Sequence, residues 1–105
     1  MGERTLDVQD NDLGEILEEL AAIIKERREA DPQKSYTAKL LTQHEDMLYK
    51  KLVEEATELV MASKDRDHDH IRYEAADLLY HLLVMLERTG VSTHELAGEL
   101  KARMG

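Results

Sequence analysis

Apolar residues recur along this chain at intervals of three and four positions, the spacing that places side chains on one face of a helix. A first series is preceded by Asp12 with Glu15 three positions later, a capping-box arrangement, and it is stopped by Asp31-Pro32. The pattern therefore predicts a helix from Leu13 to about Ala30. Its apolar face consists of Leu13, Ile16, Leu17, Leu20, Ile23 and Ile24.

The following segment fits two descriptions. Residues 35–41 form either a short helix capped by Ser35 or a structured loop with one helical turn. From His44 to Lys64 the pattern then predicts a long helix, and residues 65–67 make a short turn after it. One face of that helix carries Leu48, Leu52, Ala56, Leu59, Val60 and Ser63.

The helix after the turn is apolar almost all round. It begins near residues 67–69 and continues to Arg88, with Gly90 just past its end as the C′ residue. A helix without a wet face belongs at the centre of its bundle. In a chain of 105 residues the other helices can hardly cover it completely, so we predict a homo-oligomer, in the first place a dimer.

A final helix is indicated by Ser92 with Glu95, a second capping-box pattern, and by a thin apolar stripe that ends near Arg103. No run of alternating Val, Ile and Thr predicts a strand. The predicted fold class is all-α: a helical bundle of four main helices, plus a possible short one at residues 35–41, completed by homo-oligomerisation. Residues 1–12 are polar and aperiodic and are predicted to be a flexible lead-in, and residues 13–105 to form a single domain.

Composition narrows the range of partners. The net charge is −9, from 14 basic and 23 acidic residues, which argues against nucleic-acid or anionic-membrane binding. The longest apolar run, residues 82–86, is far too short to span a membrane, and no apolar segment near the N-terminus resembles a signal peptide. The absence of cysteine fits a reducing compartment, so we expect a cytoplasmic protein.

Two pairs of acids carry the candidate chemistry. Glu55 and Glu58 lie three residues apart in one predicted helix, and Glu74 and Asp77 lie three apart in the next. Each pair shares a helix face on the flank of an apolar stripe, so antiparallel packing brings four carboxylates together. Such groups repel one another unless protons or a cation compensate, and an oxygen-only cluster suits Mg²⁺, with Mn²⁺ as a substitute. The alternative is that these acids lie on the solvent-exposed surface and bind no metal, as is the case for most isolated acid pairs.

Two residues near these acids have less certain roles. Glu54 points roughly away from the apolar stripe, so we expect it to reach a neighbouring subunit or to act through water. Lys51 either neutralises the carboxylates and contacts a phosphate, or pairs with Glu55 one helical turn later.

The histidines favour structural roles on pattern alone. His81 lies among apolar residues, where a lone histidine more often makes a core hydrogen bond than binds a ligand. His68 and His70 are near a helix start, where capping is the better explanation than metal binding. No motif for a covalent nucleophile or a phosphate-binding glycine loop is present, so metal-assisted hydrolysis is the reaction class that the sequence supports.

These residues resemble a known family. The E-E-x-x-E sequence at residues 54–58, followed by E-x-x-D at residues 74–77, is similar to the signature of the all-α nucleoside triphosphate pyrophosphohydrolases of the MazG type. Within that superfamily, the S-Y-T segment at residues 35–37 and the D-L-L-Y-H segment at residues 77–81 resemble the phosphoribosyl-ATP pyrophosphatases. The resemblance covers about residues 13–103.

The resemblance implies Mg²⁺-dependent hydrolysis of phosphoribosyl-ATP to phosphoribosyl-AMP and pyrophosphate, an early step of histidine biosynthesis. By carry-over, the metal ligands are expected to be Glu55, Glu58, Glu74 and Asp77. Glu54 is expected to be a further ligand or to orient the water, and Glu54 or Glu58 to accept its proton. The expected substrate-binding residues are Ser35, Tyr36, Thr37, Lys39, Lys51 and His81.

Two alternatives remain at this point: a MazG-type housekeeping hydrolase of other nucleoside triphosphates, and a non-catalytic helical dimerisation module. The chain also departs from the family pattern at two positions. His44 and Val53 stand where many members have glycine. These departures concern the geometry of one turn and the closeness of one helix contact, and they remove no expected ligand.

Overall fold

The computed structural model describes residues 7–105; residues 1–6, half of the predicted lead-in, lie outside the described part. Residues 7–12 contain no helix, and the rest of the described chain is helical with short connections and no strand. The all-α prediction is confirmed. The helices are α1 (Leu13–Glu26), α2 (Tyr36–Thr42), α3 (Glu45–Lys64), α4 (His68–Thr89) and α5 (Thr93–Ala102), and a 3₁₀ turn at Arg27–Glu29 continues α1.

Side-chain caps define where the helices begin. The side chain of Asp12 accepts a hydrogen bond from the Glu15 amide at the start of α1. Ser35 accepts one from the Ala38 amide, so the ambiguous segment is a short helix. At α5 the predicted capping box is complete, because Ser92 and Glu95 exchange hydrogen bonds in both directions. Local polar residues thus determine these helix starts.

Three of the connections between helices use a left-handed backbone conformation, at His44, Arg66 and Gly90. His44, just before α3, has φ 47° and ψ 52°, and Gly90, just after α4, has φ 83°. Glycine adopts this region at little cost, whereas a residue with a Cβ is strained by roughly 1 kcal/mol or more. The departure at His44 therefore affects the turn geometry, as the resemblance suggested.

Helix α4 is central, and it packs against α1, α2 and α3. The three-residue turn between α3 and α4 makes these two helices an antiparallel pair. Side chains from four helices meet in one buried cluster, and burying each of them contributes roughly 1.5–3 kcal/mol of hydrophobic stabilisation. The cluster consists of Ile24, Leu40, Leu41, Leu48, Leu83 and Val84.

Two arginines connect the C-terminal end of α4 to the rest of the bundle. Arg88 donates from Nη1 to the carbonyl oxygens of Leu40 and Gln43, at 2.6 and 2.7 Å. Arg28 donates from Nη2 to the carbonyl and the carboxylate of Glu87, both at 2.8 Å. These contacts hold the connection between α2 and α3, and the end of α1, against α4.

A single chain leaves much apolar surface uncovered. Leu78, Leu79 and Leu82 of α4 are only partly buried, and Val53 of α3 is 68% exposed. Val53 therefore makes no close helix contact within the described chain. Helix α5 contributes no buried residue. Among the described residues, no helix combines the length and the apolar character needed to cross a bilayer.

Candidate metal and active site

Two glutamates are buried where α3 packs against α4. Glu55 is 5% exposed and Glu74 is 6% exposed. Both side chains lie on the flanks of the apolar stripes that join the two helices, so the packing that buries the stripes also buries the acids. Glu55, Glu74 and Asp77 each offer a carboxylate oxygen within 4.8 Å of the others. The predicted approach of acids from both helices is therefore present in the structure.

The three carboxylates of Glu55, Glu74 and Asp77 repel one another, and a positive charge between them would reduce this repulsion. The pKa of Asp77 is raised to about 6, first by burial and then by a hydrogen bond to Glu55 and the charge on Glu55. Burial also raises the pKa of Glu55, and its interaction with Glu74 adds to this effect. Glu74 Oε1 and Asp77 Oδ2 are buried with no hydrogen-bond partner among the described residues. Carboxylate oxygens only accept, so a hard divalent cation would compensate both the charge and the missing partners.

Glu58 belongs to a second, overlapping group. It lies with His70 and Glu74, again with one donor atom from each within 4.8 Å of the others. His70 Nε2 is 3.1 Å from Glu74 Oε2. The four predicted acids are thus divided between two groups that share Glu74. The sequence predicts a capping role for His70, but it is Asp67 that caps α4, by accepting a hydrogen bond from the His70 amide. The overlooked signal was the i,i+4 spacing from His70 to Glu74.

Glu54 and Lys51 line the open cleft beside the acids. The two side chains approach to 3.8 Å, so Lys51 pairs with Glu54 rather than with Glu55. Glu54 is in neither acidic group and its side chain is 47% exposed. The cleft has a volume of about 480 Å³. Its walls are formed by Lys51, Val53, Glu54, Glu55, Thr57, Glu58, Tyr73 and Glu74.

His81 is fully buried and links α2 to α4. Its Nδ1 lies 2.9 Å from the carbonyl oxygen of Asp77, which only accepts, so Nδ1 carries the hydrogen. Nε2 then accepts from the hydroxyl of Tyr36, 3.0 Å away. Burial raises the pKa of Tyr36 to about 12, with further contributions from nearby charged groups, so this hydroxyl remains a donor. The histidine has the core hydrogen-bonding role that its apolar surroundings suggested.

The other residues of the S-Y-T segment are also engaged. Thr37 and Tyr80 share a hydrogen bond between their hydroxyls, and the Tyr36 and Tyr80 rings stack at 6.4 Å between centroids. Ser35 caps α2 and Lys39 is half-buried. The segment is therefore held against α4 next to Asp77, while Tyr36 as a whole residue is 39% exposed.

Comparison with known proteins identifies relatives for nearly the whole chain. Residues 17–104 match the family described as phosphoribosyl-ATP pyrophosphohydrolase. A phosphoribosyl-ATP pyrophosphatase of Nitrosomonas eutropha is 48% identical over 90 residues, covering 86% of this chain and 77% of the relative. Its counterpart in Rhizobium rhizogenes is 47% identical, covering 86% of each chain. That of Haloarcula marismortui is 41% identical, covering 89% of this chain and 97% of the relative.

Proposed function

The chain belongs to the phosphoribosyl-ATP pyrophosphohydrolase family, and on that premise we propose that it hydrolyses phosphoribosyl-ATP to phosphoribosyl-AMP and pyrophosphate in histidine biosynthesis. The observation that carries the proposal is that the family match spans both acid-bearing helices, which converge on a buried cluster beside an open cleft. We propose a cytoplasmic location for this reaction, which the absence of cysteine supports.

We assign Mg²⁺ to the acids Glu55, Glu58, Glu74 and Asp77, with Mn²⁺ as a substitute. The unpartnered oxygens of Glu74 and Asp77 support this assignment, because a dication would satisfy acceptors that no donor in residues 7–105 reaches. When bound, the ion supplies charge compensation for the polyphosphate and lowers the pKa of a coordinated water.

The remaining steps belong to the protein side chains. A water molecule attacks the α-phosphorus. The bond from this phosphorus to the oxygen that bridges to the β-phosphate breaks, and pyrophosphate leaves with the bond electrons. Glu54 is our first candidate to accept the proton of that water, because it lines the cleft, is half-exposed and belongs to neither acidic group. Glu58, also exposed and in the cleft, is the second candidate.

The substrate-binding residues divide by their position. Lys51 lies in the wall of the cleft and is the candidate to contact the phosphates. Tyr36 exposes part of its ring and can contact the nucleoside, while His81 acts behind it by fixing the Tyr36 hydroxyl. We keep Ser35, Thr37 and Lys39 as further candidates on the same segment.

We also propose that the protein acts as a homo-oligomer, in the first place a dimer. The partly buried leucines of α4 and the exposed Val53 and Val60 of α3 support this, since association would remove their apolar surface from water. Analytical ultracentrifugation tests it. A monomer at micromolar concentration would contradict the proposal.

The activity is tested by phosphorus NMR of the purified protein mixed with phosphoribosyl-ATP, with and without Mg²⁺, and with ATP and dUTP in parallel. We expect pyrophosphate only from phosphoribosyl-ATP and only with Mg²⁺. Release from ATP or dUTP would move the protein to the housekeeping branch of the fold. Failure to release pyrophosphate from any substrate would contradict the enzymatic function altogether.

A further inference from the structure

His70 places a nitrogen donor beside the acidic cleft. Its Nε2 atom faces Glu74 at 3.1 Å, and Glu58 completes a group whose donor atoms all lie within 4.8 Å of one another. The second group, Glu55, Glu74 and Asp77, offers oxygen alone. The two groups share Glu74 but differ in their donor chemistry.

Glu74 has the properties of a bridging ligand. Its side chain is more than nine-tenths buried. Oε2 faces His70, whereas Oε1 has no hydrogen-bond partner within residues 7–105. A simple hydrogen bond between His70 and Glu74 satisfies one of these oxygens and leaves the other alone. A carboxylate that binds two dications uses both of its oxygens. Glu74 belongs to both groups of donor atoms, so it could bind an ion in each.

The distances suit a bound ion. Two ligand atoms in adjacent positions of an octahedron, each about 2.1 Å from the ion, lie about 3.0 Å apart. The separation between His70 Nε2 and Glu74 Oε2 is 3.1 Å. Glu58 is exposed, so its side chain is free to adjust toward the other two.

We propose that Glu58, His70 and Glu74 form a second cation site, selective for a transition-metal dication such as Zn²⁺ or Co²⁺ over Mg²⁺. Imidazole nitrogen suits these ions, whereas Mg²⁺ prefers oxygen and gives up its water reluctantly. Glu58, one of the four acids assigned to Mg²⁺ above, would then bind the transition metal, and Mg²⁺ would be held by Glu55, Glu74 and Asp77. The protein would then have two adjacent sites that share Glu74, one with oxygen donors only and one that includes the nitrogen of His70.

The test is a titration of the full-length protein with Co²⁺ in the presence of saturating Mg²⁺, followed by visible absorption and calorimetry. We expect one Co²⁺ per chain to bind despite the Mg²⁺. Replacing the nitrogen donor in His70→Ala should weaken this binding at least about 10-fold, because changes even to groups that only support metal ligands cost about 10- to 100-fold. His68→Ala is the matched control, because His68 is two residues away with a side chain that is 87% exposed. It should leave Co²⁺ binding unchanged.

Two further measurements keep the result decisive. Asp77→Asn alters only the oxygen-only group, so it should retain Co²⁺ binding in the presence of Mg²⁺. X-ray absorption of the zinc-loaded wild-type protein should show imidazole scattering, and this readout does not depend on whether His70→Ala folds. Equal Co²⁺ affinity in His70→Ala and wild type, complete displacement of Co²⁺ by Mg²⁺, or a zinc spectrum without imidazole would each overturn the proposal.

The inference lies in the cleft of the proposed function, but its test uses no substrate. If Co²⁺ binding proves independent of His70 while Mg²⁺ still supports pyrophosphate release, only the second site is refuted. If Co²⁺ binds through His70 but no pyrophosphate is released, the proposed function fails and the metal site stands.

Discussion

The two halves of α4 differ in whether their buried and partly buried polar groups have hydrogen-bond partners. In the C-terminal half, His81 bonds with Tyr36, Glu87 binds Arg28, and Arg88 donates to two carbonyl oxygens. In the N-terminal half, Glu74 and Asp77 each have one buried oxygen that no group in the described part of the chain binds. A satisfied buried group supports the fold, whereas an unsatisfied one costs roughly 1–3 kcal/mol. We infer that the C-terminal half stabilises the fold. The N-terminal half is less stable than it could be, because its acids are arranged to bind a ligand.

The largest expected effect is on activity in the N-terminal half. Asp77→Asn removes a charge that we assign to the metal, so pyrophosphate release should fall by about 100-fold or more. The metal-free protein should unfold at an equal or higher temperature than wild type, because a repulsive buried charge is lost. Asp46→Asn, an exposed acid at the other end of α3, is the control and should retain activity. Full turnover in Asp77→Asn would contradict the assignment of the N-terminal half of α4 to metal binding.

The next largest effect is on stability in the C-terminal half. His81→Ala removes a fully buried ring and leaves the Tyr36 hydroxyl without its acceptor. The free energy of unfolding in denaturant should fall by about 3 kcal/mol, from the cavity and the lost hydrogen bond together. His94→Ala, an exposed histidine in α5, should change it by less than about 0.5 kcal/mol. If the two variants proved equally stable, the C-terminal half would not have the role we assign to it.

Arg88→Ala tests the same half through its contact with the connection between α2 and α3. Two carbonyl oxygens would lose a charged donor, and the stability should fall by about 2 kcal/mol. Hydrogen exchange should locate the loosening at residues 40–48 rather than at the acids. Uniformly faster exchange, including the amides around Glu55, would show that the two halves are not separable.

The pH dependence of stability should distinguish the halves in the absence of metal. The pKa of Asp77 is about 6 in the folded protein, above its unfolded value, so the folded state holds a proton that the unfolded state has released. The stabilisation is present below the unfolded value of about 4 and is lost as the pH rises through about 6. Wild type should therefore lose about 1–2 kcal/mol relative to Asp77→Asn between these limits. Parallel stability profiles for the two proteins would contradict the raised pKa.

The smallest effect concerns strain outside both halves. His44 has φ 47°, a conformation that glycine adopts without a Cβ penalty. His44→Gly should raise the unfolding free energy by up to about 1 kcal/mol and leave pyrophosphate release unchanged. A change in pyrophosphate release would contradict this prediction. It would show that the backbone conformation at the start of α3 affects the cleft.

Much of this architecture follows from local sequence. The helical spacing of apolar residues and the capping side chains of Asp12 and Ser92 determined where helices form, because these interactions span only a few positions. The acid pairs could be placed on the flanks of their apolar stripes for the same reason. Even the short helix α2 was one of two alternatives, and its Ser35 cap was already visible in the sequence.

Only the tertiary structure decided how those elements meet. It divided the four predicted acids into two groups, added His70 to one of them, and paired Lys51 with Glu54. It also buried His81 against Tyr36, a residue 45 positions away in the chain. The physical reason is range: periodicity and capping act within a few residues, whereas the distances between side chains on different helices depend on how whole faces pack.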